Sequence, residues 1–153
     1  MSEDAAFLIL APLLVAFLAM VVFLISRASG WSKLAETYPF RGKFPQPKIW
    51  MGYAVFRGWI GYNGAVIVAS DDRGLYLRAF PVILSFCHAP IFIPWSEVRA
   101  IERCSRFFRT AYRVRAARAP AVDLALRPGT FERVREDTRR AGVAGEYCRE
   151  VVN

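Results

Sequence analysis

Ala65-Val66-Ile67-Val68-Ala69-Ser70-Asp71-Asp72-Arg73-Gly74-Leu75-Tyr76-Leu77-Arg78 decides how most of this chain folds. Two runs rich in β-branched and aromatic residues, 65–70 and 75–78, flank four turn formers. Asp at the first turn position bonds the backbone ahead of it, and Gly at the last tolerates the left-handed region. The runs therefore pair as an antiparallel hairpin, with Gly74 predicted left-handed.

The same grammar extends on both sides. Residues 49–57 read as a strand before the hairpin. Residues 80–89 are apolar without clear period, a loop or a distorted strand. Residues 91–93 form a short strand stopped by Pro94. Trp95-Ser96-Glu97 then turns the chain, with the Trp95 ring buried and Ser96 or Glu97 bonding the turn backbone. Residues 98–104 make a fifth strand. Over residues 110–118, Tyr112, Val114 and Ala116 alternate with Arg113 and Arg115, as on a half-buried strand. Residues 122–126 are a seventh. The period then becomes helical: Thr130 is a candidate N-cap, Phe131, Val134 and Thr138 share a face, and Gly142 is a candidate stop.

Upstream the pattern is different. Residues 7–25 hold no charge, and Pro12 is their one helix-awkward residue. Nineteen residues at about 1.5 Å each give roughly 28 Å, enough for a hydrocarbon core of about 30 Å. A secretory leader wants a basic lead-in, whereas Met1-Ser2-Glu3-Asp4 is acidic, so residues 7–26 are predicted to be a retained transmembrane helix. Arg27 and Lys33 follow the span and no cation precedes it. The positive-inside rule then puts residues 1–6 outside and the rest in the cytoplasm, at an inner (plasma) membrane. Trp31 and Tyr38 are expected at headgroup depth, Ser32 is expected to cap a short helix ended by Pro39, and residues 40–48 read as an extended linker. The organisation predicted is an extracytoplasmic 1–6, a span 7–26, a juxtamembrane segment 27–48, a folded domain 49–142 and a tail 143–153.

Three segments carry a resemblance: Gly30-Trp31 with Leu34-Ala35 and Tyr38, then Gly74-Leu75-Tyr76-Leu77, then Ile93-Pro94-Trp95-Ser96-Glu97-Val98. In these the chain resembles a group of small bacterial membrane-anchored proteins of unknown function with a pleckstrin-homology-like domain. The resemblance covers nearly the whole chain. It implies a mainly β fold: an N-terminal transmembrane helix, then a pleckstrin-homology-like antiparallel β-barrel with a C-terminal helix. It implies no activity. Phosphoinositide pockets in true pleckstrin-homology domains cluster cations between the first two strands, where this chain offers Arg57 alone.

Charge points to surfaces rather than to catalysis. All 21 Lys and Arg follow the span, while Glu3 and Asp4 of the 13 acids precede it, leaving +10 on the domain side. Such a domain is drawn to an anionic leaflet by about 1 kcal/mol per cation that reaches it. Arg99, Arg103, Arg106, Arg109, Arg113, Arg115 and Arg118 face only Glu97 and Glu102 nearby in sequence, with Phe107 and Phe108 among them. The contact predicted is through Arg103, Arg106, Phe107, Phe108, Arg109, Arg113 and Arg115, with an acidic protein partner or anionic lipid headgroups; a membrane tether disfavours nucleic acid. The bland reading of the same residues is a solvated sheet face.

His88, the only histidine, has no partner at catalytic or ligand spacing, and Cys87, Cys104 and Cys148 match neither a disulfide framework nor a zinc site. Asp71 and Asp72 are explained as turn residues. The sequence thus assigns no catalytic, cofactor or metal residue and predicts a non-enzymatic interaction module. The alternative is a small-ligand-binding or enzymatic β-barrel with an apolar pocket lined by Trp50, Trp59, Phe86 and His88.

Overall fold

A single apolar helix, α1 (Glu3–Ser29), leads the computed structural model, which describes residues 3–46, 48–57, 60–80, 82–106 and 109–140. Its segment Phe7–Ser29 is long and apolar enough to cross a membrane. The consecutive Phe7, Leu8, Ile9 and Leu10, which point all round the helix, are exposed, so no one face carries the apolar residues. Only at its C-terminal end does the helix meet the rest of the chain, where Val22, Ser26 and Ser29 are buried.

Gly30 ends α1. It takes φ +83°, the left-handed conformation that commonly closes a helix, and its N–H bonds the Arg27 carbonyl at 3.2 Å. Helix α2 (Trp31–Thr37) starts at once, with Leu34 N–H on the Gly30 carbonyl at 3.0 Å. Gly30 is therefore the N-cap, not Ser32, which already lies inside the first turn and bonds Ser26 instead. The inner face of α2 carries Trp31, Leu34 and Ala35, followed by Tyr38, and all four join the main core. Trp31 and Tyr38 are buried, so their rings face the interior of the protein.

Seven antiparallel strands follow: β1 (Lys48–Phe56), β2 (Ile60–Ser70), β3 (Gly74–Ala79), β4 (Ile91–Pro94), β5 (Val98–Arg106), β6 (Arg109–Ala116) and β7 (Leu124–Leu126). They form one curled sheet in the order β4-β3-β2-β1-β7-β6-β5. The predicted barrel is thus a half-barrel, because no pairing joins β4 to β5 among the described residues. The outer edge of β4 is already taken: Pro39 bridges Ile91, and Phe92 N–H bonds the Tyr38 carbonyl at 3.0 Å. The predicted linker is docked there too, with Phe40 against Tyr76 at 5.0 Å and against Phe44 at 5.6 Å.

Strand β2 starts at Ile60, five residues before its predicted start. Gly61, Asn63 and Gly64 hide the alternation that buries Tyr62, and Gly64 at φ +69° sits where the register to β1 shifts. The apolar loop after β3 contains a short helix, α3 (Val82–Ser85). Helix α4 (Pro128–Arg140) begins two residues before Thr130, since Pro is pre-organised for the first helical position. Its Phe131 stacks on Tyr112 at 3.9 Å and, with Val134, closes one side of the core. The expected stop at Gly142 and the tail lie outside the described residues.

The hairpin that opened the reading is present, with two corrections. Asp71 Oδ1 accepts from the N–H groups of Arg73 and Gly74 at 2.9 and 3.1 Å, and the Asp71 carbonyl accepts the Trp95 indole N–H at 2.8 Å. Gly74, however, is not left-handed. A Cβ there would lie 2.3 Å from the Ile93 carbonyl oxygen, so glycine is required by the close approach of β4. The second correction concerns Glu97. Its carboxylate accepts from the Tyr38 hydroxyl at 3.2 Å and pairs with Arg118 at 3.4 Å, instead of bonding the turn backbone.

Gly30→Ala is expected to lower stability by about 1–2 kcal/mol for the left-handed backbone alone. The added methyl would also meet Arg57 Nε and a Val122 methyl at 3.0 Å. Denaturant unfolding of the full chain in detergent micelles, followed by tryptophan fluorescence, measures the loss.

Candidate functional site

Register sorts the arginines of β5 and β6. Glu102 pairs with Arg113 and Arg103 with Tyr112, so Arg103 stands on the opposite face from Arg113. On the outer face Arg113 reaches Asp123 at 3.6 Å, and Arg115 reaches Glu102 at 3.4 Å and Asp123 at 4.0 Å. Asp123 lies just before β7, and the neighbour of β6 in the sheet is β7, so it neutralises cations that in sequence faced only Glu97 and Glu102. Arg118 is likewise engaged, by Glu97 and by the Tyr38 ring at 4.7 Å. The stripe predicted from sequence therefore divides. Arg113 and Arg115 are held in ion pairs, while Arg99, Arg103 and Arg109 are exposed with no ion pair among the described residues. Arg106 lies opposite Arg109 at the hairpin end, and Phe107 and Phe108 lie outside the described residues.

Where α1 meets the sheet, polar groups are buried together. The Leu84 carbonyl can only accept, so His88 Nδ1, 2.8 Å away, carries the proton. Burial pulls the His88 pKa below its ordinary 6.5 and holds the ring neutral, so Nε2 accepts from the Tyr62 hydroxyl at 2.7 Å. The Tyr62 oxygen in turn accepts from Ser29 at 2.9 Å, and Ser29 Oγ accepts the Trp31 backbone N–H at 3.2 Å. One turn back, Ser26 donates to the Cys87 carbonyl at 2.6 Å and accepts from Ser32 at 2.8 Å. The Trp31 indole N–H donates to the Ala89 carbonyl at 2.9 Å. Tyr62, Ser29 and Ser26 each have both a donor and an acceptor, and from Ser29 through Tyr62 to His88 the bonds run in one direction and polarise one another.

This arrangement ties α1 to the sheet and is closed to solvent. His88 and Ser29 have no solvent exposure, and their ring neighbours are Trp31 and Tyr62 at 5.2 and 5.4 Å from His88. Of the lining predicted for the alternative pocket, the described side chains Phe86 and His88 differ in exposure. Phe86 is 87% exposed while His88 is buried, Trp50 belongs to β1, and Trp59 lies outside the described residues. A different apolar groove is present, of about 560 Å³, between Leu24, Ile25 and Ala28 of α1, Ile60, Tyr62 and Ala65 of β2, and Leu84 of α3.

The two ends of the sheet differ in what they meet. The β1–β2 turn faces the end of α1: Arg57 donates to the Ala28 carbonyl at 3.4 Å, from a left-handed backbone at φ +49°. Phe56 lies opposite Leu124, and Leu124 opposite Val114. From Val114 to the tip at Arg109 is five residues, about 17 Å along the strand and away from that turn.

Sequence reasoning missed Ser26, Ser29 and Tyr62. The available signal was two serines three apart at the end of an apolar span, both on one helical face. No protein-family model matches the chain, and no curated protein matches its sequence.

Two outcomes are expected here. Ser29→Ala leaves the Tyr62 oxygen without its donor and costs about 1–3 kcal/mol in unfolding measurements. The unfolded His88 imidazole titrates near 6.5 and the folded one lower, so stability is full above that pH and is lost as pH falls below it. Unfolding midpoints between about pH 8 and pH 5 are expected to drop for the wild type and to flatten for His88→Gln.

Proposed function

We propose that the chain is a single-pass protein of the inner membrane, a non-enzymatic interaction module with its β domain held at the cytoplasmic surface. The exposed apolar surface of α1 supports the span. Retention of α1 is supported by the burial of Ser26 and Ser29, because a cleaved leader would take part of the domain's own packing with it. The strand order, and a C-terminal helix docked through Phe131 and Val134, support reading the domain as pleckstrin-homology-like. Arg27 and Lys33 support the cytoplasmic side.

The observation that carries the binding reading is the β5–β6 tip. Arg109 is exposed there, opposite Arg106, at the end of the sheet away from α1, and exposed Arg103 lies three residues back on the other face. At about 17 Å along the strand the tip lies beyond a screening length of about 8 Å in physiological salt, which favours an acidic protein partner over headgroups at this site.

A photo-crosslinking residue at Ser105 in the full-length chain, in native membranes, tests this. The wild type is expected to capture a discrete acidic partner, less so as salt rises. Arg103→Ser/Arg106→Ser/Arg109→Ser is expected to cut capture about tenfold, on the order of 1.4 kcal/mol. Equal capture by the variant contradicts the reading. Topology is checked by a membrane-impermeant maleimide, which is expected to label Cys104 in inverted vesicles and not in intact cells.

A further inference from the structure

The groove beside α1 has no part in the proposed protein contact, yet its composition is specific. One wall is Leu24, Ile25 and Ala28, the last turns of the span itself; the other is Ile60, Tyr62 and Ala65, with Leu84 above. Asn63 stands on the lining, and among the described residues no charged one does. The cations border it. Arg57 bonds the carbonyl of Ala28, Arg127 bonds Asn63 Oδ1 at 3.4 Å, and Arg27 precedes Ala28 in sequence. All three are exposed. Beside it runs the uncharged segment 84–90, tied to α1 through the Ser26–Cys87 bond, and its Phe86 projects with 87% of its surface free.

We propose that this groove seats one acyl chain of an anionic phospholipid, with the phosphate against Arg57 and Arg127. The proposal rests on α1 spanning the bilayer. Leu24 to Ala28 covers about 6 Å of helix rise, with Leu24 toward the hydrocarbon and Ala28 toward the headgroups. The tail therefore enters from the bilayer side, and the phosphate arrives where guanidinium groups can fork onto its oxygens. Phe86 enters the interface beside it, where an aromatic ring is favoured. Arg57 has a reason for its left-handed backbone in this reading, since strained residues persist where they serve a site.

Delipidated full-length chain in detergent, given phosphatidylglycerol or phosphatidylcholine, is read by native mass spectrometry. The wild type is expected to retain one phosphatidylglycerol per chain. Ala65→Phe fills the groove and is expected to lose it, and Arg57→Asn/Arg127→Ser, which leaves the groove open, is expected to retain it about 30-fold more weakly. Trp31 fluorescence confirms that each variant is folded. Carbonate extraction of membranes separates the two readings. A chain that resists extraction yet retains no lipid, retains both lipids equally, or retains phosphatidylglycerol unchanged in both variants, overturns the groove while leaving the span. A chain released by carbonate overturns the span and the groove with it.

Discussion

The hydrogen bond from Ser29 to Tyr62, continued to His88 and the Leu84 carbonyl, is the constraint on which the rest of the structure depends. It joins the last turn of the apolar helix to the second strand and to the loop after the third. An unmade hydrogen bond at any of these buried groups costs about 1–3 kcal/mol, so the helix cannot pivot without exposing or orphaning several at once. Gly30 makes the geometry reachable, because only a left-handed residue turns the chain from α1 into α2 tightly enough to put Trp31 into the core. The apolar helix is therefore an arm of the domain and not a flexible tether. A rigid arm has a consequence that a flexible one lacks: it fixes which end of the sheet lies beside the apolar helix and which does not.

That fixed orientation gives the arginines separate roles. Asp123 and Glu102, in half-buried ion pairs, quench the outer face at Arg113 and Arg115. Exposed cations remain at two places, the β5–β6 tip and the rim that holds Arg27, Arg57 and Arg127. One is at the far end of the sheet and the other at the helix end. A basic domain of net +10 need not act as one basic surface.

Most of the fold was legible because its strands follow simple alternation. Residues 110–118 announced their buried and exposed faces, and Asp71 to Gly74 announced the hairpin. What was hidden has a physical cause in each case. Strand β2 begins among Gly61, Asn63 and Gly64, whose propensities speak for a turn although the bulge at Gly64 needs them. Gly74 read as a left-handed turn residue, while its real constraint is the Ile93 carbonyl, a long-range contact that no local pattern encodes. The pairing of Arg113 with Asp123 depends on β7 lying beside β6, which is topology rather than sequence proximity. Ser26 and Ser29 looked like the polar end of a span because their partners are about 30 and 60 residues away.

Amide hydrogen exchange across residues 26–38 of the full chain in lipid nanodiscs tests the rigid arm most directly. The account predicts that the Trp31 amide, donated to Ser29 Oγ, exchanges as slowly as the core of β2 and is released only with global unfolding. Rapid exchange of this segment while β2 stays protected would contradict it, since the helix would then be joined to the domain by a free hinge.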